Sequence, residues 1–206
     1  MPSFEQKITI TYWLTLTSII ILGIIAYLNN SVFFTDALIS ITVISIIFHL
    51  RKKLLFSWEG AALCCTGWLM NMAGAIGAYN LSFSGLGWDK LLHFTSILGL
   101  TLLTFAYLKQ KDASFSALEI GIIVFLIAQG FGAINEVAEF IGSEYFNIGQ
   151  GLFGMMNGLS EPVTVFDMYD THWDMIINTI AVGIGLTIAW AQHRTTTVKL
   201  KERTVA

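Results

Sequence analysis

The sequence predicts an all-α polytopic membrane protein, a bundle of about six transmembrane helices with both termini in the cytoplasm. Two features of the chain predict this class. Of its 206 residues, 55% are apolar and 12% are charged, whereas a soluble domain carries about 25% charged residues. The apolar residues form long continuous runs, and the basic residues gather on one side of those runs. We expect one transmembrane domain over residues 1–206.

Six apolar runs are long enough to cross a bilayer, for which a helix needs roughly 17–25 mostly apolar residues. The runs lie at 9–28, 34–50, 59–79, 91–108, 118–141 and 174–192. The first run exceeds the length of a signal-peptide core, so we interpret it as an uncleaved anchor. The second run is the shortest, and we expect Asp36 to mark its outer edge.

The basic residues orient these spans. Ten of the eleven flank one face of the predicted bundle, and Lys90 alone falls on the other face. The ten are Lys7, Arg51, Lys52, Lys53, Lys109, Lys111, Arg194, Lys199, Lys201 and Arg203. An excess of Lys and Arg in short loops marks the cytoplasmic side. The pattern therefore places both termini in the cytoplasm.

One segment, residues 142–173, departs from the helical pattern. It holds five glycines among large apolar residues and contains no Lys or Arg. Long loops inside a compact fold are usually functional lids or linkers without fixed structure. We expect a Gly-rich loop at the outer membrane interface that folds over the bundle; a loop without fixed structure is the alternative.

Two function classes are excluded by composition. With 11 basic against 14 acidic residues, the chain has no basic field for nucleic acid. Cys64 and Cys65 are adjacent within an apolar run, so they form neither a disulfide framework nor a CxxC metal site. We expect both to pack as small apolar side chains.

The predicted orientation brings ionisable residues of three spans to the outer leaflet. They open the fourth and sixth spans and close the fifth: Asp89, His93, Glu136, Glu139, Asp170 and Asp174. Within each span they are three or four residues apart, so they share one helix face. A charged side chain at the bilayer centre costs about 2.5–3.5 kcal/mol on insertion scales. We therefore expect the three polar faces to meet in one cluster.

Carboxylates and histidine are the ligands of divalent cations such as Mg²⁺, Mn²⁺, Ca²⁺ and Zn²⁺. All six residues are candidate metal ligands, and His93, Glu136 and Glu139 are candidate catalytic groups. The candidate supporting residues are Lys90, Asn135, Asn178 and Trp173.

Simpler roles remain open for several of these residues. Asp89 and His93 could form a polar pair, and the two glutamates could bind Lys90 in a structural clamp. Asp170 is placed to cap the sixth helix, where a carboxylate is favourable.

The ordered motifs also resemble a known family. Residues 88–94 (WDKLLHF), 136–139 (EVAE) and 170–175 (DTHWDM) resemble the YjdF-type bacterial inner-membrane proteins and, more distantly, the VanZ-like family. The resemblance covers residues 88–190. The VanZ-like pattern usually has Gln where this chain has Glu139, whereas the YjdF-type pattern has Glu. The resemblance implies a multi-pass protein of the bacterial plasma membrane, and it implies no reaction.

Three functions are compatible with the cluster. The first is an enzyme or binding site in which a divalent cation acts on a lipid-linked or cell-envelope substrate. The second is a carrier of protons, ions or a small solute. The third is a structural protein whose polar cluster locks the helices together.

Overall fold

A computed structural model describes residues 2–29, 34–54, 57–83, 86–111, 115–146 and 165–205. Within these residues the chain forms seven α-helices, one 3-10 turn and one short hairpin. The helices are α1 (Phe4–Leu28), α2 (Phe34–His49), α3 (Arg51–Leu54), α4 (Trp58–Ala75), α5 (Trp88–Lys111), α6 (Ala117–Phe146) and α7 (Val165–Val205). The turn Ala78–Asn80 and the antiparallel strands β1 (Ser82–Phe83) and β2 (Leu86–Gly87) connect α4 to α5. The all-α prediction is confirmed.

Four helical segments among the described residues are long and apolar enough to cross a membrane. They are α1, α5, α6 and the part of α7 at Tyr169–His193. α2 is apolar but has 16 residues, and α4 carries Glu59 and Asn71 among its 18 residues. Each predicted apolar run falls on a helix. The count of six spans and the cytoplasmic termini stay predictions.

Polar side chains define where several helices begin. Ser3 accepts a hydrogen bond from the Gln6 amide, and the Gln6 side chain accepts one from the Ser3 amide, which makes a capping box for α1. Ser116 and Glu119 exchange the same pair of bonds before α6. Such pairs satisfy amide groups that have no partner inside the helix.

The helix α5 is the centre of the bundle. It packs against α4, α6 and α7, while α1 packs against α2 and α4. The contact with α4 is close at Gly99, where a Cβ atom would lie 2.7 Å from the Cys64 backbone nitrogen. A glycine therefore permits this approach, as small residues do where membrane helices meet.

The surface of the bundle is apolar. Large side chains such as Leu14 and Leu28 on α1 and Leu126 on α6 are 63–71% exposed. A soluble monomer rarely exposes contiguous apolar surface of this extent. Such a surface is suited to contact with the hydrocarbon chains of lipids.

The two ends of the bundle differ in chemistry. At one end Arg51 forms an ion pair with Glu5 (Nε–Oε2 3.4 Å), and Lys7 lies 4.8 Å from the ring centroid of Trp58. At the other end α5 begins beside the end of α4, where Trp88 Nε1 donates to the Met70 carbonyl oxygen (2.9 Å). The first turns of α5 and the last turns of α6 lie at this second end.

Helices occupy both flanks of the segment predicted as a loop at 142–173. α6 continues through Phe146, with Gly142 buried inside it, and α7 begins at Val165. The prediction was wrong for these flanking residues. Gly142 is buried inside α6, and the ion pairs of Asp170 and Asp174 with Lys90 hold the first turns of α7 against α5. Residues 147–164 lie outside the described residues.

Candidate functional site

Lys90 joins α5 to α7 at the polar end of the bundle. Its Nζ atom lies 3.1 Å from Asp89 Oδ2 and 2.8 Å from Asp174 Oδ2, and it also contacts Asp170 Oδ1. The Lys90 side chain is 14% exposed and the Asp174 side chain is 1% exposed. One buried ammonium therefore compensates part of the charge of three carboxylates.

Asp170 does not cap a helix. α7 begins five residues earlier, at Val165, so Asp170 lies inside the helix and uses its carboxylate for the ion pair with Lys90. The capping prediction was wrong because the helix extends beyond the apolar run on which it was based. Lys90 pairs with these aspartates and not with the glutamates that the clamp alternative assigned to it.

His93 lies one turn after Asp89 and connects three helices. Its Nε2 atom is 3.8 Å from Asp89 Oδ1 and 3.7 Å from Glu136 Oε1 on α6. Its Nδ1 atom is 3.3 Å from Asn178 Oδ1 on α7. The tautomer with hydrogen on Nδ1 donates to that amide oxygen, which leaves the Nε2 lone pair directed at two carboxylates. That arrangement is stable when a positive charge, a proton or a metal ion, lies between them.

The two glutamates of α6 complete the cluster. Glu136 is 6% exposed and accepts a hydrogen bond from Thr171. Its Oε1 atom is buried and has no hydrogen-bond partner among the described residues. Glu139 Oε1 accepts a hydrogen bond from Asn135 Nδ2 (2.6 Å). Buried carboxylate oxygens are normally satisfied, so the free acceptor of Glu136 calls for a cation or a donor.

Two overlapping groups of these residues have the spacing of metal ligands. One is Asp89, His93 and Asp174; the other is His93, Glu136 and Glu139. In each group the ligand atoms lie within 4.8 Å of one another. Two ligands at about 2.0–2.4 Å from one ion are at most about 4–5 Å apart, so both groups fit a divalent cation.

Close packing of α6 on α7 positions the cluster. A Cβ atom on Gly132 would lie 2.4 Å from Asn178 Nδ2, and Asn178 is fully buried. Gly132 is one turn before Glu136, so it brings that glutamate and the Asn178 amide to opposite sides of His93.

A second buried polar chain adjoins the cluster and was missed in the sequence analysis. Tyr79 donates a hydrogen bond to Asn71 Oδ1 (2.7 Å), and Asn71 Nδ2 donates to Asp36 Oδ2 (3.4 Å). Burial raises the pKa of the Tyr79 phenol, and the carboxylates of Asp89 and Glu139 raise it further. Tyr79 is therefore a protonated donor. Asp36 is buried in this chain, and its isolated position in an apolar run was the available signal.

Trp173, a predicted supporting residue, and its neighbour His172 lie outside the buried part of the cluster. The indole of Trp173 is 53% exposed, and His172 is also exposed. Trp173 was predicted to support the site; its exposed ring follows from the position next to buried Asp174, since adjacent residues on a helix point in different directions.

The structure thus defines a class, a multi-pass helical membrane protein with a buried Asp/Glu/His cluster at one end of the bundle. A family model described as "predicted membrane protein (DUF2238)" matches residues 8–195. The chain belongs to this family. No curated protein and no solved structure matches the chain.

Proposed function

We propose that this protein binds a divalent cation at His93, Glu136 and Glu139 and uses it to hold or act on a lipid-linked or cell-envelope substrate. The observation that carries the proposal is the position of His93 Nε2 opposite a carboxylate oxygen of Glu136 that has no hydrogen-bond partner among the described residues. A cation between these atoms would satisfy both of them.

The distribution of charge favours this group over the aspartates. The salt bridges of Lys90 go to Asp89, Asp170 and Asp174, so an ammonium group already occupies that side of the cluster. The candidate metal ligands on the aspartate side then act as a support that holds α7 against α5. Among the described residues the two glutamates form no ion pair with Lys or Arg, and they have the ligand spacing that a cation requires.

The chemistry of the group suits substrate phosphate. A divalent cation polarises phosphoryl oxygens or activates a bound water, and it also screens an anionic substrate from the surrounding carboxylates. A carboxylate oxygen of Glu136 or Glu139 that does not coordinate the cation would exchange protons with the substrate. The outer leaflet of a bacterial plasma membrane is the proposed location, which the one-sided distribution of basic residues and the YjdF-type and VanZ-like resemblance support.

A structural role is the second candidate. The observation that favours it is Lys90, which bridges α5 to two turns of α7 without any metal. In that case the glutamates would be protonated and would serve as hydrogen-bonded fillers of the helix interface.

The test compares Glu139→Gln with Glu144→Gln, because Glu144 is an exposed glutamate near the end of the same helix. If the site binds a cation, wild type and Glu144→Gln retain Mn²⁺ or Zn²⁺ after purification in detergent, and Glu139→Gln loses it. Added metal should stabilise wild type by about 2.7 kcal/mol at a hundredfold excess over the dissociation constant. Elemental analysis and thermal unfolding measure both effects.

The structural role makes the opposite prediction. An amide keeps the shape and much of the hydrogen bonding of a protonated carboxyl group, so Glu139→Gln should then unfold like wild type. A thermal midpoint that neither chelator nor metal shifts, in all three proteins, would exclude the cation.

A further inference from the structure

A long cavity leads away from the polar cluster into the bundle. Its volume is about 370 Å³, and its wall at the cluster includes His93, Asn135 and Glu139. Its wall at the opposite end includes Tyr12 and Phe48, whose rings stack at 3.8 Å. The volume is within the range of ligand sites, which are about 300–1,000 Å³.

The cavity has the proportions of a hydrocarbon chain. On α5 its wall extends from Asp89 to Leu103, which is about 21 Å at 1.5 Å per residue. One leaflet contributes about half of the roughly 30 Å hydrocarbon core of a bilayer. The cavity is therefore at least as long as one leaflet of the hydrocarbon core is thick.

The wall at the end of the cavity away from the cluster, here called the far wall, offers apolar surface. Ile44, Ile47 and Leu103 line it, and the polar side chains beside them, Thr11 and Tyr12, are hydrogen-bonded to other residues of the protein. Trp58 Nε1 donates to Thr11 Oγ1 (3.2 Å), and Tyr12 shares a hydrogen bond with Ser45 (3.3 Å). An occupant of this end needs no hydrogen-bonding group, whereas an occupant of the cluster end meets a histidine, an amide and carboxylates.

We propose that the cavity binds the hydrocarbon chain of a lipid phosphate whose head group lies at His93 and Glu139. This inference rests on the proposed function, because an anionic phosphate beside carboxylates requires the cation between them. The chain itself requires no cation. It fills an apolar space that water does not favour, and it makes dispersion contacts along the wall.

The experiment uses hexadecyl phosphate with a photoreactive diazirine at the end of its chain, added with Mn²⁺ to the full-length protein in detergent. Peptide mass spectrometry then maps the cross-links. The proposal predicts labelling of the far wall at Tyr12, Ile47 and Phe48. Unlabelled hexadecyl phosphate should compete for this labelling, and butyl phosphate should not.

Two neighbouring isoleucines provide a matched pair of variants. Ile47 lines the far wall, whereas Ile46 is 54% exposed on the outside of the same helix. Ile47→Trp should reduce far-wall labelling by about tenfold, because the indole would occupy space that the chain needs, and forced overpacking costs of the order of one decade in an equilibrium constant. Ile46→Trp should leave the labelling unchanged.

The possible outcomes distinguish the chain site from the cation site. Labelling confined to the outer surface of the bundle, or far-wall labelling equal in both variants, would overturn the chain site. If Ile47→Trp does not fold, wild-type labelling that hexadecyl phosphate fails to compete would overturn it as well. Far-wall labelling that persists in chelator, in a protein without bound Mn²⁺, supports the chain site and overturns the requirement for a cation at the head group. Mn²⁺ bound through Glu139 without far-wall labelling would support the cation site and overturn the chain site.

Discussion

His93 illustrates how single residues determine the properties of the cluster. Its spacing from Asp89 indicated a shared helix face, but three different helices supply the groups around its ring. The amide of Asn178 on Nδ1 orients the imidazole, as outer groups do for histidines that bind metals. Nε2 is thereby directed at Glu136 Oε1, which, like Asp174 Oδ1, is a buried acceptor without a hydrogen-bond partner among the described residues.

Lys90 is the residue on which the stability of the cluster depends most. We expect Lys90→Met to lower the free energy of unfolding by about 3–5 kcal/mol, because removing one partner of a buried ion pair leaves the other charges uncompensated. Lys111→Met is the control, since Lys111 is exposed at the opposite end of α5 and surface changes stay within about 0.5 kcal/mol. Denaturant unfolding in detergent measures both. Equal stability of the two variants would show that Lys90 does not hold the carboxylates.

At the scale of helices, close contacts at glycines set the geometry of the site. Gly99 allows α4 to approach α5, and Gly132 allows α7 to approach α6 beside His93. The i, i+3 and i+4 spacing within each helix aligned the polar residues on one face, and these contacts decide which faces meet.

A pair of glycines on α6 tests this geometry. A Cβ atom on Gly132 would lie 2.4 Å from Asn178 Nδ2, whereas a Cβ on Gly130 meets nothing within 4 Å. Gly132→Ala should destabilise the protein by about 1–3 kcal/mol, as overpacking does, and should weaken metal binding by displacing Asn178 from His93. Gly130→Ala should be neutral or stabilising by about 0.5–1 kcal/mol, because alanine favours helix more than glycine does. Thermal unfolding and metal content are the measurements; similar losses in both variants would contradict the packing argument.

At the scale of the whole molecule, the ends of the bundle are chemically distinct. Basic residues such as Lys7 and Arg51 lie at one end, and the buried carboxylates lie at the other. This polarity agrees with an orientation that keeps the basic end in the cytoplasm.

Reporter fusions test that orientation. We expect fusions at residues 55 and 112 and at the C-terminus to report a cytoplasmic location, because each adjoins basic residues. Fusions at residues 31, 85 and 155 should report the outside. A cytoplasmic signal at residue 155 would place the carboxylates of α6 and α7, which flank that residue in sequence, on the cytoplasmic side and would contradict the outer-leaflet site.

The amino-acid sequence by itself determined the all-α class, the approximate positions of the helices and the polar residues that converge at one end. It could do so because hydrophobic run length and helical spacing are local properties of the chain. The tertiary structure alone decided that Lys90 pairs with the aspartates, that Asp170 lies inside α7, and that Tyr79, Asn71 and Asp36 form a buried chain. These contacts join residues that are remote in sequence. Their distances are set by which helix faces pack together and how closely they pack.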